Sequence, residues 1–194
     1  MKKKDRLVWV DLEMTGLNAE VDVILEIATI ITDNQLNLIA EGPALIIHQP
    51  QSALDLMDDW CSKVHGKSGL TDAVSKSSIM LAVAQEETLD FIKSHCAFQE
   101  GVLAGNSVWQ DRIFIKKYMP RITDYLHFRI IDVSSIKELA NRWYPYNQFL
   151  KFEKPDNHRA LEDIRGSIKE LAHYRKYFFI PDPAKRIPNT SQGE

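Results

Sequence analysis

Cysteine is scarce in this chain of 194 residues: Cys61 and Cys96 stand alone, with no metal-ligand spacing between them. That argues against a disulfide framework and a thiolate metal centre, and two free thiols suit a reducing compartment such as the cytoplasm. Long apolar runs are missing as well; none approaches the ~18 residues of a membrane helix. Met1-Lys2-Lys3-Lys4-Asp5 leads directly into a strand-like run that contains acids, so neither a membrane anchor nor a secretory leader is expected. An excess of positive charge is also lacking, with 24 Lys and Arg against 27 Asp and Glu and a formal net charge of −3. Proteins that grip long nucleic acids through many phosphates carry a basic face, so any nucleic-acid ligand here should be short or held at one end. What remains is an ordinary soluble composition, 44% hydrophobic and 26% charged, at a length suited to one domain with a sizeable core.

Periodicity predicts three strands early in the chain, over Val8 to Met14, Val21 to Asp33 and Leu36 to Ile47, the last two joined by the turn residues Asp33-Asn34-Gln35. Short links between them predict an antiparallel meander. Leu54, Met57, Trp60 and Cys61 then recur at helical spacing up to a Gly66-Lys67-Ser68-Gly69 loop, and Ser78 to His95 reads as a longer helix with Leu81, Ala84, Leu89 and Ile92 inward. A short strand over Gly101 to Gly105, a helix ending near Met119-Pro120, a fifth strand over Phe128 to Val133 and a helix over Ser135 to Tyr144 follow. The last helix is expected over Arg159 to Phe178, with Ala160, Leu161, Ile164, Ile168, Leu171 and Ala172 on its core face. The expected fold is therefore α/β: a mixed five-stranded sheet, antiparallel meander plus parallel strands, flanked by helices. Residues 1–180 form the expected single domain, and 181–194, with three prolines, an extended or disordered tail.

The stretch around which the chemistry gathers is Val8-Trp9-Val10-Asp11-Leu12-Glu13-Met14-Thr15-Gly16-Leu17. Strand side chains alternate faces, so Asp11 and Glu13 project from one side. Two carboxylates about 4 Å apart repel by ~1 kcal/mol in water and ~4 kcal/mol at a surface-like dielectric. A solvated strand end would tolerate that repulsion; a bound divalent cation with oxygen ligands would remove it. Two further junctions carry polar residues. In Asn106-Ser107-Val108-Trp109-Gln110-Asp111, Ser107 and Gln110 match a capping box with Ser107 as N-cap, and Asp111 falls where a helix dipole favours negative charge. In Asn157-His158-Arg159-Ala160-Leu161-Glu162-Asp163, with Asn157 as expected cap, Asp163 borders the buried stripe while Glu162 points to solvent. His158 beside a core-facing acid is a candidate base, with an ordinary pKa of about 6.5.

Asp-x-Glu near the start, an Asp after Gly-Asn-Ser, and His-x4-Asp near the end resemble the three exonuclease motifs of the DEDDh group. DLEMTGL, MDDW, GNS–QDR–F, DVSS-KELA-RW and HRALEDIR-S, spread from about Leu7 to Phe178, resemble in particular the oligoribonuclease family, 3′-to-5′ exoribonucleases of very short RNAs. The resemblance implies an RNase H-like fold, a short single-stranded RNA substrate, and a homodimer in which the segment around Arg129 reaches the neighbouring active site. It also implies that Leu17 and Trp60 pack on the bases, whereas residue type alone leaves both as candidates for the core. Phe128 stands where the resemblance implies a tyrosine; stacking survives that change and a hydroxyl hydrogen bond does not.

Independently of the family, the carboxylates Asp11, Glu13, Asp111 and Asp163 have the hardness to hold two divalent cations, Mg²⁺ or Mn²⁺, ~4 Å apart. Such a pair would activate a water and offset charge on a leaving 3′-oxygen, with His158 as general base. Arg129 and Ser134-Ser135, with a capping box through Glu138, combine a guanidinium with a helix N-terminus and form a candidate phosphate site. Ser107 is a further candidate substrate contact, and His65 is either part of that donor cluster or a solvated loop histidine. Asp58 and Asp59 read as capping or solvated acids and Asp132 as a structural acceptor. The expected function is two-metal hydrolysis of short RNAs to 5′-mononucleotides. The alternatives are a DNA-directed exonuclease of the same group or a non-catalytic nucleic-acid-binding protein with that fold. The latter would be expected to lack an acid or the histidine, and none is lacking.

Overall fold

Both faces of the opening strand β1 (Arg6–Met14) are covered, which is why Leu7 to Val10 is a continuous apolar run instead of an alternating one. The structure is a computed structural model that describes residues 5–153 and 158–179. Lys2 to Lys4, Asn157 as a cap, and the tail 181–194 lie outside the described residues. β1 pairs antiparallel with β2 (Ile24–Asp33), which pairs antiparallel with β3 (Leu38–Ile46); β4 (Val102–Gly105) and β5 (Ile130–Asp132) add in parallel on the other side of β1. The strand order is β3-β2-β1-β4-β5, the mixed five-stranded sheet that the sequence pattern predicts. β3 is an edge strand and tolerates Pro43 beside a break in its register.

Alternation along β1 sorts its side chains between two cores. Val8, Val10 and Leu12 pack with Leu89 and Ile92 of α4 (Leu81–His95) and with Phe114 of α5 (Val108–Tyr118). Leu7 and Trp9 pack on the opposite face with Ala140 of α7 (Val133–Trp143) and with Ala160, Ile164 and Tyr174 of α8 (Ala160–Tyr177). Trp9 is fully buried, and its indole Nε1 donates to Thr32 Oγ1 at 2.9 Å, so its apolar area is buried without orphaning the N–H. By the same parity Asp11 and Glu13 emerge from the α8 face, one and two steps beyond Trp9.

Several elements differ from expectation. The helix expected after Leu54 is three: α1 (Gln51–Leu54), α2 (Asp59–Lys67) and α3 (Leu70–Lys76), and Gly66-Lys67 is helical rather than a loop. The break follows from Asp58, whose carboxylate caps α2 by accepting from the Cys61 N–H. Pro120 starts a further helix, α6 (Pro120–Tyr125), because at the first helical position its missing N–H costs nothing. Ala172 is exposed; the inward positions near it go instead to Ser167, Glu170 and Tyr174. Both cysteines are free and buried, and burial with Asp58 alongside pushes the Cys61 thiol up to about 11, which makes it inert. Among the described residues, no helix is long and apolar enough to cross a membrane.

Candidate active site

Asp11 and Glu13 leave β1 at its carboxyl end, and Asp163 descends on them from the first turn of α8. One oxygen from each of the three carboxylates lies within 4.8 Å of the others. This convergence is a consequence of parity: the face of β1 that carries the acids is the face on which α8 packs. Asp111 arrives from the other face, on α5. It is nearly buried, and its Oδ1 accepts from the Leu12 N–H at 3.0 Å, between the two acids of the strand. One of its oxygens thus braces the strand end, and the carboxylate stands beside the three-oxygen cluster, close enough to act on the charge of Glu13.

Electrostatics here is unfavourable for the bare protein. Burial raises the Glu13 carboxyl to about 8, and repulsion from Asp163, Glu26 and Asp111 adds to it, with Arg159 partly opposing. Burial also raises Asp111 to about 7, against the lowering effect of the Leu12 N–H. The donor set consists of hard oxygen ligands, which fits a divalent cation of the Mg²⁺ or Mn²⁺ type. His65 adds a buried polar atom without a hydrogen-bond partner. Its Nε2 lies 2.9 Å from the Met14 carbonyl, so that nitrogen carries the proton and Nδ1 faces Glu13 Oε2 at 3.8 Å with a bare lone pair. At 2% exposure in α2, His65 is neither a solvated loop residue nor a lining residue of the serine cleft, and burial lowers its pKa.

His158 precedes α8 in a left-handed conformation, φ 46°, and stands edge-on to Trp60 with ring centroids 5.7 Å apart. Its neighbour Arg159 is the N-cap residue of α8 and makes two hydrogen bonds to Glu26, at 2.9 and 3.1 Å, while its own N–H donates to Asp163 Oδ2 at 3.1 Å. One residue thus ties the histidine segment to the buried Glu26 of β2 and to a carboxylate of the cluster. Sequence reasoning missed this pair, although an acid inside the apolar run Ile24-Leu25-Glu26-Ile27 was a signal.

Leu17 and Trp60 are not core residues; they are 73% and 61% exposed. The Leu17 loop is held rigidly. Asp22 accepts from the Thr15 hydroxyl and the Asn18 N–H, and a Cβ on Gly16 would come within 2.5 Å of the Asp22 carboxylate, so only glycine fits. Gln110 donates from its side chain to the Leu17 carbonyl. The capping box expected between Ser107 and Gln110 is therefore absent: Gln110 is engaged elsewhere, and Ser107, at φ 48°, makes no side-chain cap.

Ser107, Ser134 and Ser135 do meet, on the wall of an open cleft of about 670 Å³ that Trp109, Lys137 and Arg142 also line. The Ser107 N–H donates to Asp132 Oδ1 and to Ser134 Oγ, each at 2.9 Å. Asp132 also caps α7 through the Ser134 N–H, which confirms it as a structural acceptor and leaves no cap role for Ser135 with Glu138. Glu138 pairs with Arg142 instead. Arg129 does not line this cleft; its guanidinium lies over the Phe128 ring, 5.2 Å from the centroid, and Phe128 is itself exposed.

A strand end in a mixed sheet, with three converging carboxylates and a histidine at the foot of the last helix, belongs to the class of α/β proteins whose site is suited to a divalent cation. Comparison with known proteins narrows this class. The exonuclease model of the RNase_T family matches residues 8–171. The oligoribonuclease of Marinobacter nauticus is 51% identical over 179 residues, 92% of this chain and 99% of that protein. Human mitochondrial oligoribonuclease is 50% identical over 192 residues, covering 97% and 81%. The chain belongs to the RNase_T exonuclease family and, within it, groups with the oligoribonucleases. In fold it is similar to exonuclease I of Methylocaldum szegediense, TM-score 0.64 at 18% identity, with 89% of this chain covered and 40% of that one. It is likewise similar to Escherichia coli exonuclease I in complex with a 5cy-dA13 oligonucleotide, TM-score 0.64 at 14% identity, covering 89% and 41%. The chain spans about two fifths of the length of those structures.

Proposed function

We propose that this protein is a 3′-to-5′ exoribonuclease that hydrolyses very short oligoribonucleotides, dinucleotides above all, to 5′-mononucleotides. The observation that carries this reading is the convergence of Asp11, Glu13 and Asp163 within 4.8 Å in a chain about half identical to oligoribonucleases. Asp11, Glu13, Asp111 and Asp163 would hold two divalent cations, Mg²⁺ or Mn²⁺. When bound, such cations supply Lewis-acid activation of water and neutralise charge on the phosphate. His158 accepts the proton of the attacking water on a ring nitrogen, and Trp60, edge-on to it, orients the imidazole and offers a face to a base. Leu17, exposed on its glycine-dependent loop, offers a second apolar contact to a base.

Ser107, Ser134 and Ser135 bind the terminal 5′ phosphate in their cleft, and a donor cluster that walls off that phosphate accounts for a preference for dinucleotides. Arg129, exposed and outside the cleft of its own chain, completes that phosphate site across a homodimer. We assign the protein to the cytoplasm and residues 1–180 to one exonuclease domain.

The test compares cleavage of an RNA dinucleotide, a longer RNA and the matching DNA, with Mn²⁺ or EDTA present. Preferential, EDTA-sensitive cleavage of the dinucleotide is expected. Preference for long DNA would select the second reading, a DNA-directed exonuclease, which the likeness in fold to exonuclease I favours. Sedimentation of the purified protein at the mass of two chains is expected for the dimer.

A further inference from the structure

Behind the serine cleft, on α8, lies a carboxylate that the hydrolysis does not use. Glu170 is 0% exposed. Its Oε2 accepts from Asn106 Nδ2 at 2.8 Å; its Oε1 accepts from the Tyr174 hydroxyl at 3.3 Å and is paired at 3.3 Å with Lys137 Nζ. Asn106 also donates to Ser167 Oγ at 3.0 Å, and Ser167 donates to the Asp163 carbonyl at 2.9 Å. On its other side Asn106 Oδ1 accepts from Ser134 Oγ at 3.2 Å, and Ser134 Oγ lies 3.1 Å from Ser107 Oγ.

A buried acid is costly unless every lone pair facing it is matched, and this one is matched by an ammonium, an amide and a phenol. We infer that Glu170 is a positioning residue for substrate specificity: it fixes which way the Asn106 amide faces, and through it the serine hydroxyls of the phosphate cleft, while holding the Lys137 ammonium at the cleft wall. The direction is set by chemistry. An ionised carboxylate only accepts, so Asn106 must turn its NH₂ toward Glu170 and its carbonyl toward Ser134. Lys137 spends one of three N–H donors on Glu170 and keeps the others for the cleft that it lines. Asp163, Ser167 and Glu170 share one face of α8, so the helix that brings a carboxylate to the reacting phosphate also organises the contacts at the opposite end of a two-nucleotide substrate.

This inference rests on the reading of the cleft as the terminal phosphate site, and the experiment separates the two. The ratio of kcat/KM for a 5′-phosphorylated RNA dinucleotide to that for its 5′-hydroxyl counterpart is measured for the wild-type protein and for Glu170→Gln. The glutamine keeps the shape, removes the charge and offers an N–H, so Asn106 can reverse and Lys137 loses its partner. The wild type should prefer the phosphorylated substrate. Glu170→Gln should lower that preference about tenfold, chiefly through KM, as expected for losing charge-assisted hydrogen bonds. Lys137→Met, at a half-exposed position, should lower it in the same sense, with a thermal melt of the variant reading what the unpaired Glu170 costs the fold. A wild type without the preference would overturn the cleft assignment itself. A wild-type preference that survives Glu170→Gln, whatever Lys137→Met does, or one that falls only through kcat on both substrates, would overturn the role of Glu170.

Discussion

The acidic end of β1 and the serine cleft are built from similar numbers of polar groups, and they solve opposite problems. In the cleft the acids are answered within the chain, Glu170 by Lys137, Asn106 and Tyr174, and Asp132 by two backbone N–H groups, while Lys137 keeps further N–H donors for a ligand. At the strand end three carboxylates face one another and Glu13 rises to about 8, with the buried His65 Nδ1 adding a lone pair to the same space. The first region has its acids matched and its donors pre-ordered, which suits recognition of a fixed phosphate. The second is frustrated until positive charge arrives, which suits chemistry that depends on a cation. A polar cluster that fails to satisfy itself is the stronger indication of a reactive site.

The largest effect should come from removing a member of the frustrated cluster. Asp11→Ala should abolish metal-dependent hydrolysis, and titrating Mn²⁺ into the variant while following dinucleotide cleavage checks that no concentration restores it. His158→Ala should leave Mn²⁺ affinity, read by calorimetry, largely intact while lowering kcat by ~10²–10⁴. Unchanged turnover would remove His158 from the proton transfer. Trp60→Ala should weaken substrate binding by ~1–3 kcal/mol, seen as a higher KM, because the exposed indole has a base to stack on and little core to lose.

The smallest effect is on stability, and its sign follows from the raised carboxyls. A carboxyl whose folded pKa lies above its unfolded value contributes stability that is full below the unfolded pKa and is lost as pH rises through the folded one. For Glu13 that loss runs from the ordinary value of 4.5 up through about 8, and Asp111 adds to it up through about 7. In EDTA the protein should therefore lose thermal stability between pH 5.5 and 8.5 relative to the same protein in Mn²⁺, because the cation stabilises the ionised carboxylates. Melting curves at the two pH values, with and without Mn²⁺, measure the gap. A gap that does not widen with pH would mean that the cluster does not share its protons with a metal site.

Much of the site was legible because it depends on local periodicity. Period-two alternation places Asp11 and Glu13 together, and helical spacing turns Asp163 inward and Glu162 out, as the structure has them. The strand pattern likewise gave the meander and the parallel additions. The caps were misread: Ser107 and Ser135 match a capping pattern, but Asp132 outcompetes Ser135 for α7 and a left-handed backbone turns Ser107 away. For His65 the sequence offers the donor cluster or a solvated loop, and the structure instead buries it in α2 against the Met14 carbonyl at the strand end.

By itself, then, the order of residues determined the alternation of faces on β1, the inward stripe of α8, and a set of acids too costly to leave uncompensated. Only the folded chain decided which distant polar groups would answer one another: Glu26 with Arg159, Glu170 with Asn106 and Lys137, His65 with the Met14 carbonyl. The physical reason is the range of the interactions. Side-chain direction repeats over a few residues and is written in the local pattern, whereas a buried polar group finds its partner across tens of positions, and in the case of Glu26 and Arg159 across more than a hundred, once the sheet has closed around it.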